Sequence, residues 1–185
     1  MRVISGKAKG SKLKALEGLN TRPTSDRIKE SLFNIIAPYI QESNVLDLFS
    51  GTGNLAIEAL SRGAKSAVLI DQSHDAYKTI KYNLEHTKLQ QYATVYNCTY
   101  EQYLSKFYNK DTKFDIIFID PPYNQNFIIP SVISIANANI LSSDGIIIVE
   151  RDYIDNIPDN ISDFEVFRNV KYGRTILSFL KYIVK

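Results

Sequence analysis

The chain predicts an α/β fold in which a mostly parallel sheet is covered by helices on both faces, and three observations point there. From Val45 onward, short apolar runs alternate with longer amphipathic stretches, the order in which strands and crossover helices follow one another in a parallel sheet. A glycine-rich segment, Asp47-Leu48-Phe49-Ser50-Gly51-Thr52-Gly53, sits where the first run ends and the first amphipathic stretch begins, which is where such folds receive ligands. Near the end, the pattern changes to two β-rich runs joined by Tyr172-Gly173-Arg174, a hairpin signal that adds antiparallel pairing.

The elements follow in order. Residues 2–14 are short, basic and punctuated by Gly6 and Gly10, consistent with a small hairpin or an extended arm. Residues 24–39, after Pro23, predict a helix with Ile28, Leu32, Ile35 and Ile36 on one stripe. Strands are expected over residues 44–49, 66–70, 94–97, 114–119 and 145–150, each a short apolar run. Between them, residues 54–62 carry Leu55, Ala56, Ala59 and Leu60 on one face, and residues 75–87 carry Ala76, Ile80, Asn83, Leu84 and Thr87 at spacings of three and four. Residues 100–108 and 128–139 read as further helices, the first short and the second beginning near Pro130. Residues 164–171 and 175–182 form the terminal hairpin.

At 185 residues the chain fits one domain with one active site, the basic residues 1–20 being an appendage to it. A composition of 44% hydrophobic and 23% charged residues excludes disorder and a disulfide scaffold. Cys98 is the single cysteine, and His74 and His86 are the only histidines. They cannot furnish a zinc cluster, so no metal is expected, and a reducing compartment suits them. No apolar run approaches the roughly 20 residues that span a bilayer, and residues 1–7 lack the apolar core of a secretory signal. The expectation is a cytoplasmic protein without a membrane partner. The net charge of +2 conceals a division: residues 1–30 hold eight basic and three acidic side chains, and the remainder is net acidic. Lysines and arginines so concentrated suit a phosphate-binding arm, because they release condensed counterions from a nucleic-acid backbone. Lys7, Lys9, Lys12 and Lys14 are the candidate RNA contacts.

In the glycine loop, Gly51 and Gly53 let a ligand approach backbone N–H groups that a side chain would shield. Asp71, closing the next apolar run and followed by Gln72, can accept both ribose hydroxyls of an adenosine-containing cofactor. Asp47, Phe49, Ser50, Gly51, Gly53, Asp71 and Gln72 are therefore candidate cofactor contacts. The stretch Gly51-Thr52-Gly53-Asn54-Leu55-Ala56 also satisfies a looser dinucleotide fingerprint, so NAD competes on the glycines alone. Asp47 favours S-adenosylmethionine, since a carboxylate can meet the cationic methionine end of that cofactor but offers a pyrophosphate nothing. An oxidoreductase would also need a general acid, and neither histidine is placed for the role.

The apolar run Asp115-Ile116-Ile117-Phe118-Ile119 delivers Asp120-Pro121-Pro122-Tyr123 to the same sheet edge. Two prolines remove two N–H donors and leave carbonyls that only accept, a lining that suits a substrate amine. Asp120 can accept a second N–H, Tyr123 can stack on a base plane, and together they can aim the nitrogen lone pair at a sulfonium methyl. These four are the candidate catalytic residues, for methyl transfer to an exocyclic amine of a nucleobase. A paired base hides that amine, so the target is expected in a loop or flipped from its stack. The tetrapeptide leaves the acceptor open, adenine N6 in DNA included.

Taken with Arg22-Pro23-Thr24-Ser25-Asp26-Arg27 and Glu30-Ser31-Leu32-Phe33-Asn34, these motifs resemble the RsmD family of bacterial 16S rRNA guanine-N2 methyltransferases. The likeness runs nearly end to end, from Arg2-Val3-Ile4-Ser5-Gly6 through Glu58-Ala59-Leu60-Ser61-Arg62-Gly63-Ala64 to Tyr172-Gly173. It implies a class I, Rossmann-like methyltransferase fold, S-adenosylmethionine as cofactor, and a guanine of 16S rRNA in assembled small ribosomal subunits as substrate. It also implies that Arg22 and Thr24 wall the cofactor's methionine end, and that the basic N-terminal hairpin touches RNA.

Overall fold

The computed structural model describes residues 1–16, 26–108, 112–122 and 126–184. The Arg22 and Thr24 expectations, and that for Tyr123, lie outside the described residues. Among the described residues eight strands form one sheet: β1 (Asn44–Asp47), β2 (Ser66–Asp71), β3 (Ala93–Asn97), β4 (Phe114–Ile119), β5 (Leu141–Asp152), β6 (Asn160–Ile161), β7 (Phe164–Tyr172) and β8 (Thr175–Tyr182). Their spatial order is β3-β2-β1-β4-β5-β8-β7-β6. The five strands from β3 to β5 are parallel, and β8, β7 and β6 add antiparallel pairs.

Alternation along the central strands buries both faces, as parallel sheets require. Ile116, Phe118, Ile146 and Ile148 join one apolar cluster, and Ile117, Ile119, Ile147 and Val149 join the other. The first cluster is covered by α1 (Asp26–Ile35), α3 (Asn54–Ser61) and α4 (His74–His86), through residues such as Phe33, Leu60 and Ile80. The second is covered by α6 (Ile128–Ala138), through Val132 and Ile135, and by Tyr100 and Tyr103.

Several boundaries differ from the sequence expectation, each for a local reason. The helix expected to reach Tyr39 breaks at Ile36, and a separate turn, α2 (Ala37–Ile40), carries Pro38, which has no N–H to continue the ladder. The stretch expected as a helix over residues 100–108 is one turn, α5 (Tyr100–Gln102), capped by a reciprocal Thr99 and Gln102 pair, and then a wider π turn at Tyr103–Phe107. β5 starts at Leu141 because residues between the Phe114–Leu141 and Ile116–Ile146 pairs bulge out, where Ser142 Oγ donates to Asp115 Oδ1 at 2.9 Å. It runs on through Arg151 and Asp152, which pair with Ile176 and Thr175 of β8. The two-residue strand β6 has no counterpart in the sequence reading.

Residues 1–14 do form a hairpin, bridged at Arg2 and Lys12, and it lies against the helices. Val3, Ala8 and Leu13 are buried in the first cluster. Glu58 of α3 accepts the N–H groups of Ile4 (2.8 Å) and Ser5 (3.0 Å), Ser61 Oγ accepts from Ala8 N (2.9 Å), and Asn83 Oδ1 accepts from Lys14 N (2.8 Å). Glu58 is itself fully buried beside the fully buried Lys29 of α1 at 3.0 Å, and Arg62 donates to its other oxygen at 2.8 Å. Lys29 also donates to Arg2 O (2.6 Å) and Asn54 Oδ1 (2.7 Å). The network fastens the hairpin, α1 and α3 to one another.

Candidate active site

The strand order reverses at β1. Successive strands β1, β2 and β3 run to one side of it, and β4 returns to the other. That reversal opens a crevice at the carboxyl ends of β1 and β4, the topological switch point at which doubly wound sheets bind ligands. Four acids among the described residues stand along this edge: Asp47 ends β1, Asp71 ends β2, Asp120 directly follows β4, and Glu150 follows Val149, the last residue of β5 paired with β4.

The glycine loop is tied between β1 and β2. Ser50 N donates to Ile70 O (2.9 Å), Ser50 Oγ donates to Asp47 O (2.9 Å) and accepts from Ile70 N (3.0 Å), and Gly53 N returns to Ser50 O (2.6 Å). Gly51 has φ +54, and a Cβ placed there would meet nothing within 4 Å. Its conformation needs glycine, and its bare face looks onto open space above the strand ends. Asp71 accepts from Gly51 N and from Ser73 N, both at 2.8 Å, which orients its carboxylate toward that space while lone pairs remain for hydroxyl donors. Burial raises the Asp71 pKa, against the pull of those two N–H groups. Gln72 is exposed just beyond it.

Asp47 is buried, and its pKa is raised to about 7 by burial and then by the Asp71 charge, with the N–H groups of Phe49 and Ala56 and the Ser50 hydroxyl opposing. A carboxylate so placed is stabilised by a cation, such as the ammonium or sulfonium of S-adenosylmethionine, and destabilised by a pyrophosphate. The residues present therefore fit that cofactor. Asp120 is half-buried, and its pKa is raised well above the usual carboxylate range by burial first, then by Glu150 and Asp47. Pro121 is buried and Pro122 exposed beside it.

The structure thus brings Asp47, Phe49, Ser50, Gly51, Gly53, Asp71, Gln72, Asp120, Pro121 and Pro122 to one edge. It does not bring the lysines there. Lys7 lies over the exposed ring of Tyr92, which precedes β3 at the opposite edge, and Lys14 lies over exposed Tyr82 of α4. Three features escaped the sequence reading. Phe49 contacts Tyr100 at 5.6 Å and Phe127 at 5.8 Å between ring centroids, an aromatic strip linking the loop to the start of α6. Asn97, ending β3, donates to the carbonyls of Asp71 and Gln72, both at 3.0 Å. A cleft of about 370 Å³ opens beside Pro121 and Pro122, lined further by Phe127, Glu150 and Ile154. The signal for Glu150 was present, a carboxylate closing the run Ile146-Ile147-Ile148-Val149. His74 and His86 are exposed on α4, and Cys98 is buried packing.

A Rossmann-like sheet with an acid-flanked glycine loop and an Asp-Pro-Pro turn at its switch point defines the methyltransferase class of this fold. The solved structure of "Putative methyltransferase yhhF from Escherichia coli" superposes with a TM-score of 0.87 at 30% identity, covering 100% of this chain and 99% of that one. Residues 1–181 match the family model described as "Conserved hypothetical protein 95". The chain belongs to that family, the RsmD family. Its relatives include "Putative rRNA methyltransferase YlbH" of Bacillus subtilis, 40% identical over 98% of both chains. Another is "Ribosomal RNA small subunit methyltransferase D" of Haemophilus influenzae, 36% identical over 82% of this chain and 79% of the relative.

Proposed function

We propose that this protein transfers a methyl group from S-adenosylmethionine to the exocyclic N2 amine of a guanine in 16S rRNA, acting on the assembled small subunit. One observation carries the reading: the Asp120-Pro121-Pro122 turn faces the glycine loop across the β1/β4 crevice and opens into a cleft. The small-subunit rRNA substrate is argued from the relatives bearing that name.

The cofactor supplies an electrophilic methyl, and the chain's own residues supply alignment and charge. Asp47 holds the ammonium end, Asp71 the ribose hydroxyls with Gln72 at its flank, and Phe49 and Ser50 shape the loop floor beside Gly51 and Gly53. Arg22 and Thr24 complete the wall at the methionine end. The Asp120 carboxylate and the Pro121 carbonyl accept the two N–H bonds of the target amine, which turns the nitrogen lone pair toward the methyl, and Tyr123 stacks on the base. As positive charge develops on nitrogen, Asp120 stabilises it. Lys7, Lys9, Lys12 and Lys14 hold the RNA backbone away from the crevice.

The test is incubation of undermethylated small subunits, and separately of naked rRNA, with labelled cofactor, followed by nucleoside analysis. N2-methylguanosine from subunits is expected. N6-methyladenosine or no product overturns the reading. Asp120→Ala should abolish transfer while S-adenosylhomocysteine affinity stays within about tenfold, because the lost contacts are made to the acceptor.

A further inference from the structure

The cleft beside Asp120 differs in kind from a nucleic-acid backbone site. Its lining includes the acids Glu150 and Asp155 and no lysine, arginine or histidine among the described residues. Exposed apolar side chains, Ile129 and Ile154, line it together with Pro122. Such walls suit the two faces of a planar base, leaving the polar groups to meet its edge. Glu150 is 4% exposed and lies deep among them.

Register places Glu150 beside Asp120. The last recorded pair is Ile119 with Val149, and Asp120 and Glu150 follow them on the two parallel strands, close enough for the Glu150 charge to act on Asp120. Two carboxylates one strand spacing apart offer only acceptors. The base edge that matches them presents two adjacent donors. Guanine does so, with N1–H next to the N2 amine. Adenine presents its N6 amine next to N1, a lone pair that would face a carboxylate and be rejected.

We propose that Glu150 is a specificity-determining residue whose carboxylate accepts the N1–H of the target guanine while Asp120 accepts from N2. The inference rests on the guanine reading above and deepens it. It accounts for why the acceptor end of the site is acidic in a protein whose first residues are basic. Burial first, and then the neighbouring Glu150 and Asp47 charges, raise the Asp120 pKa, and a donor edge entering between Asp120 and Glu150 offsets their repulsion. A site built on hydrogen bonds to a substrate N–H discriminates strongly against an analogue lacking it, because its buried acceptor is left unmatched.

The experiment compares wild type with Glu150→Gln, which keeps the side-chain volume, on undermethylated small subunits with labelled S-adenosylmethionine. Expected for the variant is a loss of at least about tenfold in kcat/KM for N2-methylguanosine formation, with S-adenosylhomocysteine affinity within about twofold. Once the modified nucleotide is located, subunits carrying 2-aminopurine there, which has the amine but no N1–H, give the decisive arm. Wild type should disfavour 2-aminopurine by about tenfold or more, and Glu150→Gln by less than about threefold, since the carboxylate and the N1–H are then removed from the same interaction. A variant as active as wild type on guanine, or one that retains full discrimination, overturns the role of Glu150 alone. Adenine as the wild-type product overturns the guanine reading, and this inference falls with it.

Discussion

Asp47 couples protonation to both folding and cofactor. Its carboxyl has a usual value near 3.8 and sits at about 7 in the folded chain, so the folded state holds a proton between those values that the unfolded state has lost. Its contribution to stability is present below pH 3.8 and disappears as pH rises through about 7. The ligand-free protein is expected to melt higher at pH 5 than at pH 8, and saturating S-adenosylhomocysteine, whose ammonium stabilises the carboxylate, should shrink that difference. Thermal unfolding across pH, with Asp47→Asn as the control that flattens the ligand-free profile, reads this. A melting temperature that climbs from pH 5 to pH 8 contradicts it. The Lys29–Glu58 pair gives a second expectation. Burial lowers the Lys29 pKa while Glu58 opposes the shift, and every oxygen of Glu58 is engaged. Lys29→Met should cost up to about 3–5 kcal/mol in urea unfolding, because it leaves the buried Glu58 carboxylate with Arg62 as its one cation among the described residues and takes the donor from Arg2 O and Asn54 Oδ1. At this scale Asp47, Asp71 and Asp120 were read as acids closing apolar runs, whereas Glu150, which closes such a run too, was passed over. Glu150 is followed by Arg151 and Asp152, which read as polar surface. In the structure both are buried, Arg151 by donating to Ser178 Oγ at 2.9 Å and Asp155 O at 2.5 Å.

The elements were legible where periodicity was long and were not where pairing partners set the ends. Strands β1 to β4 and helices α3, α4 and α6 lie close to the expected residues. The extension of β5 depends on β8, a strand about 25 residues further on, and no local pattern announces it. The N-terminal hairpin was visible in its glycines, but its docking was not, because the partners are Glu58, Ser61 and Asn83. Two of those glycines make a matched test. Gly6 (φ +83) and Gly10 (φ +88) share a left-handed conformation, yet a Cβ on Gly6 would sit 1.8 Å from Ser61 O, whereas one on Gly10 meets nothing within 4 Å. Gly10→Ala should cost about 1 kcal/mol of backbone strain. Gly6→Ala should cost at least about 2 kcal/mol more, because the hairpin must lift from α3. Equal losses in denaturant unfolding would show that the seat is soft. Replacing Lys7, Lys9, Lys12 and Lys14 by glutamine should leave the melt in place and lower the salt slope of RNA binding by up to about four counterions. An unaltered slope would remove these lysines from the RNA contact.

Across the whole molecule, the mostly parallel sheet with an antiparallel C-terminal end was readable from the alternation of apolar and amphipathic segments, whereas the strand order came from the structure. The sequence placed the glycine loop and Asp120 at one sheet edge, and the observed order puts the crevice between them. What the sequence could not disclose was the cleft beside Pro121, since its walls come from the start of α6 and from residues 154–157, which meet only in three dimensions. The fastening of the N-terminal hairpin has a consequence in time. Lys29 of α1 reaches Arg2 O from 27 residues on, but the acceptors of the Ile4, Ser5, Ala8 and Lys14 amides lie 53 to 69 residues further along the chain, so during synthesis those amides have no partner until α3 and α4 have been made. Closing those long loops comes after the local pairing of later elements. The first part of the polypeptide to exist is therefore expected among the last to settle, and refolding monitored by protection of the Ile4 and Ser5 amides should show them closing after those of β1 and β2.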